Sequence, residues 1–256
     1  MKYTNKQGAP SAWFRAVAND PYDRGETYSP SMLNNPARAT ALIEKHGDEI
    51  EIDVMSRVAA TIGQGAHVIL ERGKRAGVDI VEFRFHREII VDGVKYMVSA
   101  QVDLFETDTG DLQDWKTTKA YAFHKKSGAG KKDEWISQLN VGRWVLDGRA
   151  DLPKVKRLVI VGLLKDWDQR KAQTEKGYPP SEIMSSEQDM WTLEETEVWI
   201  ADRIRAIVKA RKELPLCTMK ETWGGNRCGR WCEAASVCEQ YQETLKTGIL
   251  KKPESW

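Results

Sequence analysis

The apolar positions change their period along the chain, and each change marks an element. Residues 1 to about 30 hold no sustained period, carry Pro10, Pro21 and Pro30 among polar residues, and read as irregular. Helical spacing begins near Ser31 and strengthens from Asp53 to Ala76, where Val54, Val58, Ile62, Val68 and Ile69 recur every three or four residues. Gly63 and Gly65 weaken that helix locally. The period then drops to two. Glu88–Val91, Asp92-Gly93 and Val94–Val98 predict a hairpin with a tight primed turn. Ser99–Glu106, a turn at Asp108-Thr109-Gly110 and Asp111–Thr117 predict a second one, with Gly110 suited to the left-handed position that closes the turn. A loop containing Lys and Gly leads to a helix over Asp133–Gly148, followed by a buried strand over Lys154–Leu164 and a long polar connection over Lys165–Met190. Thr192 and Glu195 form a capping box opening a helix that runs to about Lys212. Helix, strands, helix, strand is the order of an α/β fold with a mixed sheet.

Composition narrows the class. With 256 residues, 41% hydrophobic and 30% charged, the chain has the make-up of a folded domain. The longest apolar run, Leu158 to Leu164, has the length of a buried strand and falls far short of a membrane span of about 18 residues. The first six residues offer no apolar stretch for a signal peptide, so no membrane association and a cytoplasmic location are expected. The net charge of +1 points to no partner, but its distribution is uneven. Six Lys and no acid lie between Lys116 and Lys132, whereas Glu44 to Asp53 holds five acids and one Lys. A Lys-rich loop suits a phosphate backbone, and it also suits plain solvation.

Candidate chemistry starts at the second hairpin. Asp114-Trp115-Lys116 is the only acid-x-Lys tripeptide in the chain. The short turn places position 103 opposite position 114, or one residue away if a bulge intervenes, so Asp103 and Asp114 come within reach of one cation. Alternation puts Asp114 and Lys116 on one face. Two neighbouring carboxylates repel each other and lose solvation, which makes Mg²⁺ or Mn²⁺ a fitting counterpart. A surface hairpin whose carboxylates pair with lysines would show the same residues. His67 and Glu71, four apart on the preceding helix, share a face, and Gly63 one turn earlier leaves that face open to a close neighbour. His67 is a candidate further ligand. At the other end, Cys217, Cys228, Cys232 and Cys238 are the only cysteines and are confined to 22 residues, a pattern that points to a metal or cluster site. Four thiolates serve a [4Fe–4S] cluster and Zn²⁺ equally well.

These motifs, taken in order, resemble a known family. The stretch from Gly63 to Glu71 resembles the G-x-x-x-H-x-x-L-E helix motif of RecB-type PD-(D/E)xK nucleases. Asp103 followed by Asp114-Trp115-Lys116-Thr117-Thr118 resembles their D…DWKT core, and Gln138-Leu139-Asn140 resembles the start of their Q-x-x-x-Y helix. The resemblance runs from about Tyr28 to Cys238. It implies a restriction-endonuclease-like PD-(D/E)xK core, with His67, Asp103, Asp114 and the Trp115 carbonyl as metal ligands and Lys116 as the catalytic lysine. It also implies that Glu71 supports the site and that Gln138 contacts the substrate strand or orders the site. The chain departs from the family at Gly142, which stands where relatives have Tyr; Trp144 is the candidate replacement. Some RecB-type nucleases, CRISPR-associated exonucleases among them, carry an iron–sulfur cluster, and the Cys232…Cys238 spacing is similar to the end of their cysteine pattern.

The expected organisation is a nuclease domain over residues 1–212, with residues 213–256 a Cys-rich segment packing on its core. The expected activity is Mg²⁺- or Mn²⁺-dependent exonucleolytic hydrolysis of DNA, single-stranded or at duplex ends, in recombination, repair or replication. Phage or mobile-element origin and a recombination partner protein belong to the same expectation. Lys119, Lys125, Lys126, Lys131 and Lys132 are the expected DNA contacts. A DNA-binding protein of this fold that has lost cleavage, and a regulator built on the Cys segment, are the alternatives.

Overall fold

The computed structural model describes residues 1–20 and 27–247; the irregular reading at Pro21 and the last part of the Cys-rich segment lie outside them. Along the chain the elements are β1 (Lys2–Thr4), α1 (Ser11–Ala18), α2 (Pro30–Asn34), α3 (Ala37–His46), β2 (Glu51–Asp53), α4 (Val58–Glu71), β3 (Asp79–Val91) and β4 (Val94–Glu106). There follow β5 (Asp111–Thr118), α5 (Asp133–Asp147), β6 (Arg157–Leu164), α6 (Gln169–Thr174), β7 (Ile183–Glu187), α7 (Leu193–Glu213), α8 (Asn226–Arg230) and α9 (Glu239–Lys246), with short 3-10 turns between several of them. The described residues form two compact units: residues 27–34 and 59–201 in one, residues 1–20, 35–58 and 202–247 in the other.

The larger unit is built on a five-stranded sheet in the order β3-β4-β5-β6-β7, flanked by helices. Its first turn sets its register. Asp92 and Gly93 both take positive φ (52° and 80°), the primed geometry whose twist matches that of the flanking strands. Val91 therefore faces Val94, and the ladder runs out to Asp79 opposite Glu106, making each strand 13 residues long. The predicted hairpin over 88–98 is only its tip. β4 continues into the second turn, where Gly110 (φ 84°) lets Glu106 face Asp111. β5 and β6 run parallel, which requires a crossover, and α5 supplies it. Trp135, Leu139, Val141, Trp144, Val145 and Leu146 make the buried side of α5, while Leu158, Ile160, Val161 and Leu164 bury β6.

The stretch expected as a polar connection, 165–190, instead holds α6 and β7. Asp168 caps α6 by accepting from the Lys171 N–H at 2.9 Å, and β7 pairs antiparallel with β6. β7 lies at the sheet's edge with alternate residues exposed, so its sequence lacks the apolar run that marks β6.

In the smaller unit β1 pairs with β2 in parallel, and α1 buries Val17 in a cluster with Ala9 and Val54, flanked by Tyr3, Trp13 and Phe14. Residues 1–20 are thus ordered elements rather than the irregular segment expected; a three-residue strand and an eight-residue helix are too short to establish a period. Ala39 and Leu42 of α3 pack with Ala234, Cys238 and Tyr241 of the Cys-rich segment. α7 opens with the capping box expected of it: the Glu195 N–H donates to Thr192 Oγ1 at 3.0 Å, and the Thr192 N–H donates to Glu195 Oε2 at 2.8 Å. Among the described residues no helix is long and apolar enough to cross a membrane.

Candidate active site

The larger unit gathers ionisable side chains where β4 and β5 stop pairing. Their ladder covers Leu104–Gln113, Phe105–Leu112 and Glu106–Asp111. One step further, the Trp115 N–H donates to the Asp103 carboxylate at 2.7 Å, a side chain standing where a strand carbonyl would be. That same register sets Asp103 beside Asp114. α4 comes close to β5 at Gly63, where a Cβ would stand 3.4 Å from Thr117 Oγ1, and this brings His67 over the strands. His67 Nδ1 lies 2.6 Å from Glu82 Oε1 and 3.7 Å from Asp103 Oδ1. Glu82, on β3, belongs to no motif in the sequence. Its φ of 49° is left-handed, a conformation that costs a non-glycine residue about 1–3 kcal/mol and breaks the β3–β4 ladder at this one step. Gln101 holds the other Glu82 oxygen by donating to it at 2.6 Å.

A second triad adjoins the first. Lys116 Nζ lies 2.7 Å from Asp114 Oδ2 and donates to Gln138 Oε1 at 3.1 Å, while Gln138 Nε2 donates to Asp114 Oδ1 at 2.7 Å. Gln138 comes from the first half of α5, so the crossover helix spans acid and lysine with a single amide.

Electrostatics follow from this crowding. Burial, then the charge on Asp114, pushes the Asp103 carboxyl up to about 7. Burial disfavours the Lys116 ammonium, yet Asp114 and Asp103 outweigh it and hold Lys116 above its ordinary range. The hydrogen bond to Glu82 raises His67 against its partial burial. Burial would raise Glu82, but the His67 and Gln101 hydrogen bonds prevail and keep it low.

The donor set fits a hard divalent cation. One atom each from His67, Glu82 and Asp103 lies within 4.8 Å of the others, the one such grouping of three among the described residues. Octahedral ligands at about 2.0–2.1 Å from Mg²⁺ stand at most about 4.2 Å apart, so small adjustments suffice. Asp114 Oδ2 is buried against Lys116 Nζ at 2.7 Å, and a carboxylate oxygen paired once can still offer a lone pair to such an ion.

The other expected residues divide. Glu71 is exposed and pairs with Lys74 at 3.2 Å. Trp144 is 1% exposed, with Nε1 donating to Glu197 at 3.2 Å and the Arg87 guanidinium 4.1 Å from its ring centre. It is a core residue and does not replace the family's tyrosine. Gly142 itself faces Leu112, 3.5 Å from the position of a Cβ, so a ring there would enter the core. Lys119, Lys125 and Lys126 are exposed, Lys131 pairs with Asp189 at 2.6 Å, and Lys132 Nζ lies 4.2 Å from the Trp135 ring centre.

In the smaller unit the four cysteines are free thiols lining one cavity of about 140 Å³ together with Arg38, Leu42 and Tyr241. Gln240 clasps the backbone of Cys217 at both N–H and carbonyl, each at 2.8 Å, and Arg38 donates to Cys238 Sγ at 3.5 Å. Burial, Glu221 and the other three cysteines push the Cys217 thiol up to about 12. No three of the sulfurs lie within 4.8 Å of one another. Tetrahedral zinc with bonds of about 2.3 Å needs sulfurs about 3.8 Å apart.

No protein-family model matches the sequence, and no curated protein does. Among solved structures, the chain is similar to the crystal structure of SSO0001, with a TM-score of 0.58 and 14% sequence identity over 86% of this chain and 89% of that one. At that identity the likeness is one of fold: a mixed α/β chain whose five-stranded mixed sheet is flanked by helices.

Proposed function

We propose that the chain is a cation-dependent deoxyribonuclease with a RecB-type PD-(D/E)xK core, acting in DNA recombination, repair or replication. One observation carries the reading: His67, Glu82 and Asp103 converge within 4.8 Å beside the Asp114–Lys116–Gln138 triad. A surface hairpin would expose its carboxylates, whereas Asp103 and Asp114 are withdrawn from water here.

His67, Glu82, Asp103 and Asp114 would hold Mg²⁺ or Mn²⁺, which supplies Lewis-acid stabilisation of charge on a phosphodiester. Gln101 and the Trp115 N–H fix the Glu82 and Asp103 carboxylates in place. Lys116, kept charged by Asp114 and Asp103, can orient an attacking water and offset the charge that develops on phosphorus-bound oxygen. Gln138 holds Lys116 and Asp114 at a fixed separation. In the metal-free protein Asp103 and His67 hold protons more tightly than in water, and a cation would compete with those protons.

For the smaller unit we propose a [4Fe–4S] cluster on Cys217, Cys228, Cys232 and Cys238. Four free thiols lining one cavity support a bound centre there.

Lys116→Ala and Asp114→Ala test the reading. Each is expected to abolish cleavage while preserving fold and most DNA affinity, since phosphate contacts away from the reacting atoms dominate binding. Full nuclease activity in either purified variant would overturn the assignment.

A further inference from the structure

The segment that follows Lys116 carries an exposed aromatic ring on a rigid, basic surface. Immediately after β5 the chain forms a 3-10 turn, Ala120–Phe123. Ala122 and Phe123 are buried, whereas Tyr121 between them is 66% exposed. The turn is anchored on both sides. The Ala120 N–H donates to Asp166 at 2.6 Å, the Lys125 N–H donates to the Gly177 carbonyl at 3.0 Å, and Ser127 Oγ bonds the Tyr121 carbonyl. His124 is buried, accepts from the Lys126 N–H at Nδ1 (3.0 Å), and so carries its proton at Nε2, 3.2 Å from Glu175 and off the hydrogen-bond line. Its ring lies 6.2 Å from that of Tyr121, 26° from parallel.

Positive charge predominates on this surface. Lys119, Lys125 and Lys126 from the turn, and Arg170, Lys171 and Lys176 from α6 and the loop after it, are all exposed. The three acids interspersed with them are engaged within the protein: Asp166 by Ala120, Asp168 as the cap of α6, and Glu175 beside His124. Asp166, Asp168 and Glu175 stay exposed, so six cations stand against three acids, a net positive surface near the Tyr121 ring at the carboxyl end of the parallel β5–β6 pair. Tyr121 follows Lys116 by five residues, so their Cα atoms lie within about 18 Å of each other.

We infer that Tyr121 is a stacking platform for an unpaired base, with the surrounding Lys and Arg residues tracking the phosphates of the same strand, so that the substrate is single-stranded DNA or a frayed end. A paired base has both faces covered by its neighbours in the duplex and cannot use the ring; an unpaired base can, whatever its identity. The held turn loses little freedom on binding. The inference rests on the nuclease reading for its purpose, but its test does not require cleavage.

Binding is measured in EDTA by fluorescence anisotropy, with a labelled oligothymidylate, an abasic strand of equal length and a blunt hairpin duplex. Tyr121→Ala is expected to weaken oligothymidylate binding roughly 5- to 150-fold. Tyr121→Phe keeps the affinity, and the duplex responds to neither substitution. The wild type should bind the abasic strand about as weakly as Tyr121→Ala binds oligothymidylate. Lys125→Gln with Lys176→Gln should flatten the slope of log affinity against log salt by about 1.4, because two phosphates of a single strand then lack their cationic partners. Equal weakening on duplex and single strand, or wild-type oligothymidylate affinity in a Tyr121→Ala protein of unchanged thermal stability, would overturn the platform. A protein that binds in this Tyr121-dependent way but never cleaves would overturn the nuclease reading and leave the platform standing. A nuclease indifferent to Tyr121 does the reverse.

Discussion

Asp103 binds a proton on folding, because its carboxyl rises from 3.8 to about 7 as it is buried beside Asp114. Stability from that proton is fully present below about pH 4 and is lost as pH rises through about 7, so the metal-free protein should weaken across this window. The raised His67 works in the same direction. Asp103→Asn cannot take up the proton, and denaturant unfolding in EDTA at about pH 5 and about pH 8 should show a smaller difference for the variant than for the wild type. An equal difference in the two proteins would mean that Asp103 is not the buried acid described. At this scale the sequence is informative where a turn fixes the register. Gly110 closes the second turn, so Asp103 and Asp114 can be paired by counting. Counting from Asp92-Gly93 would reach Glu82 in the same way, but alternation is clear only near the tip of that hairpin, from Glu88 onward. Glu71 shows what a shared helix face leaves undetermined. Sharing a helix face with His67 leaves it exposed and pairing with Lys74 at the last turn of α4, while His67 bonds Glu82 instead.

At the scale of elements, the long helices and the strands beside them are legible because period and caps agree. α7 is the clearest case, with Thr192 and Glu195 exchanging both capping hydrogen bonds. Thr192→Ala should therefore lower unfolding stability by about 1 kcal/mol, a shift readable in a denaturant titration, while Thr192→Ser should keep most of it. A neutral Thr192→Ala would mean that the first turn of α7 is held by its burial alone. α1, β1 and β7 are not legible. Each is short and borrows its stability from a neighbour: α1 from Val54, β1 from β2, β7 from β6. Trp144 misleads for a related reason. Aromatic identity and nearness to Gln138 make it a candidate for the site, but helical spacing turns it to the buried side of α5 with Val141 and Val145.

Across the whole molecule, the two candidate centres lie in separate units, carboxylates in one and thiols in the other. The Cys-rich segment has a small apolar share: its buried contribution is Ala234, Cys238 and Tyr241, packed on Ala39 and Leu42. A bound centre would add the cross-linking that this small core lacks. Cys228→Ser or Cys232→Ser should lower thermal stability and solubility with little effect on cation binding at His67, Glu82 and Asp103. Anaerobically purified wild type should be brown, with iron and acid-labile sulfide in equal amounts. Colourless protein with one bound zinc would correct the centre, and four titratable thiols with neither metal would remove it.

The measurement closest to the central claim is cleavage of end-labelled single-stranded DNA by the purified protein, run in parallel with Mg²⁺, with Mn²⁺ and with EDTA, for wild type and His67→Ala. Wild type should degrade the strand with either cation and leave it intact in EDTA. His67→Ala should need a higher cation concentration for the same rate, because one donor of the cluster is gone. Degradation that persists in EDTA, or cation dependence unchanged by His67→Ala, would contradict a cation held by His67, Glu82, Asp103 and Asp114.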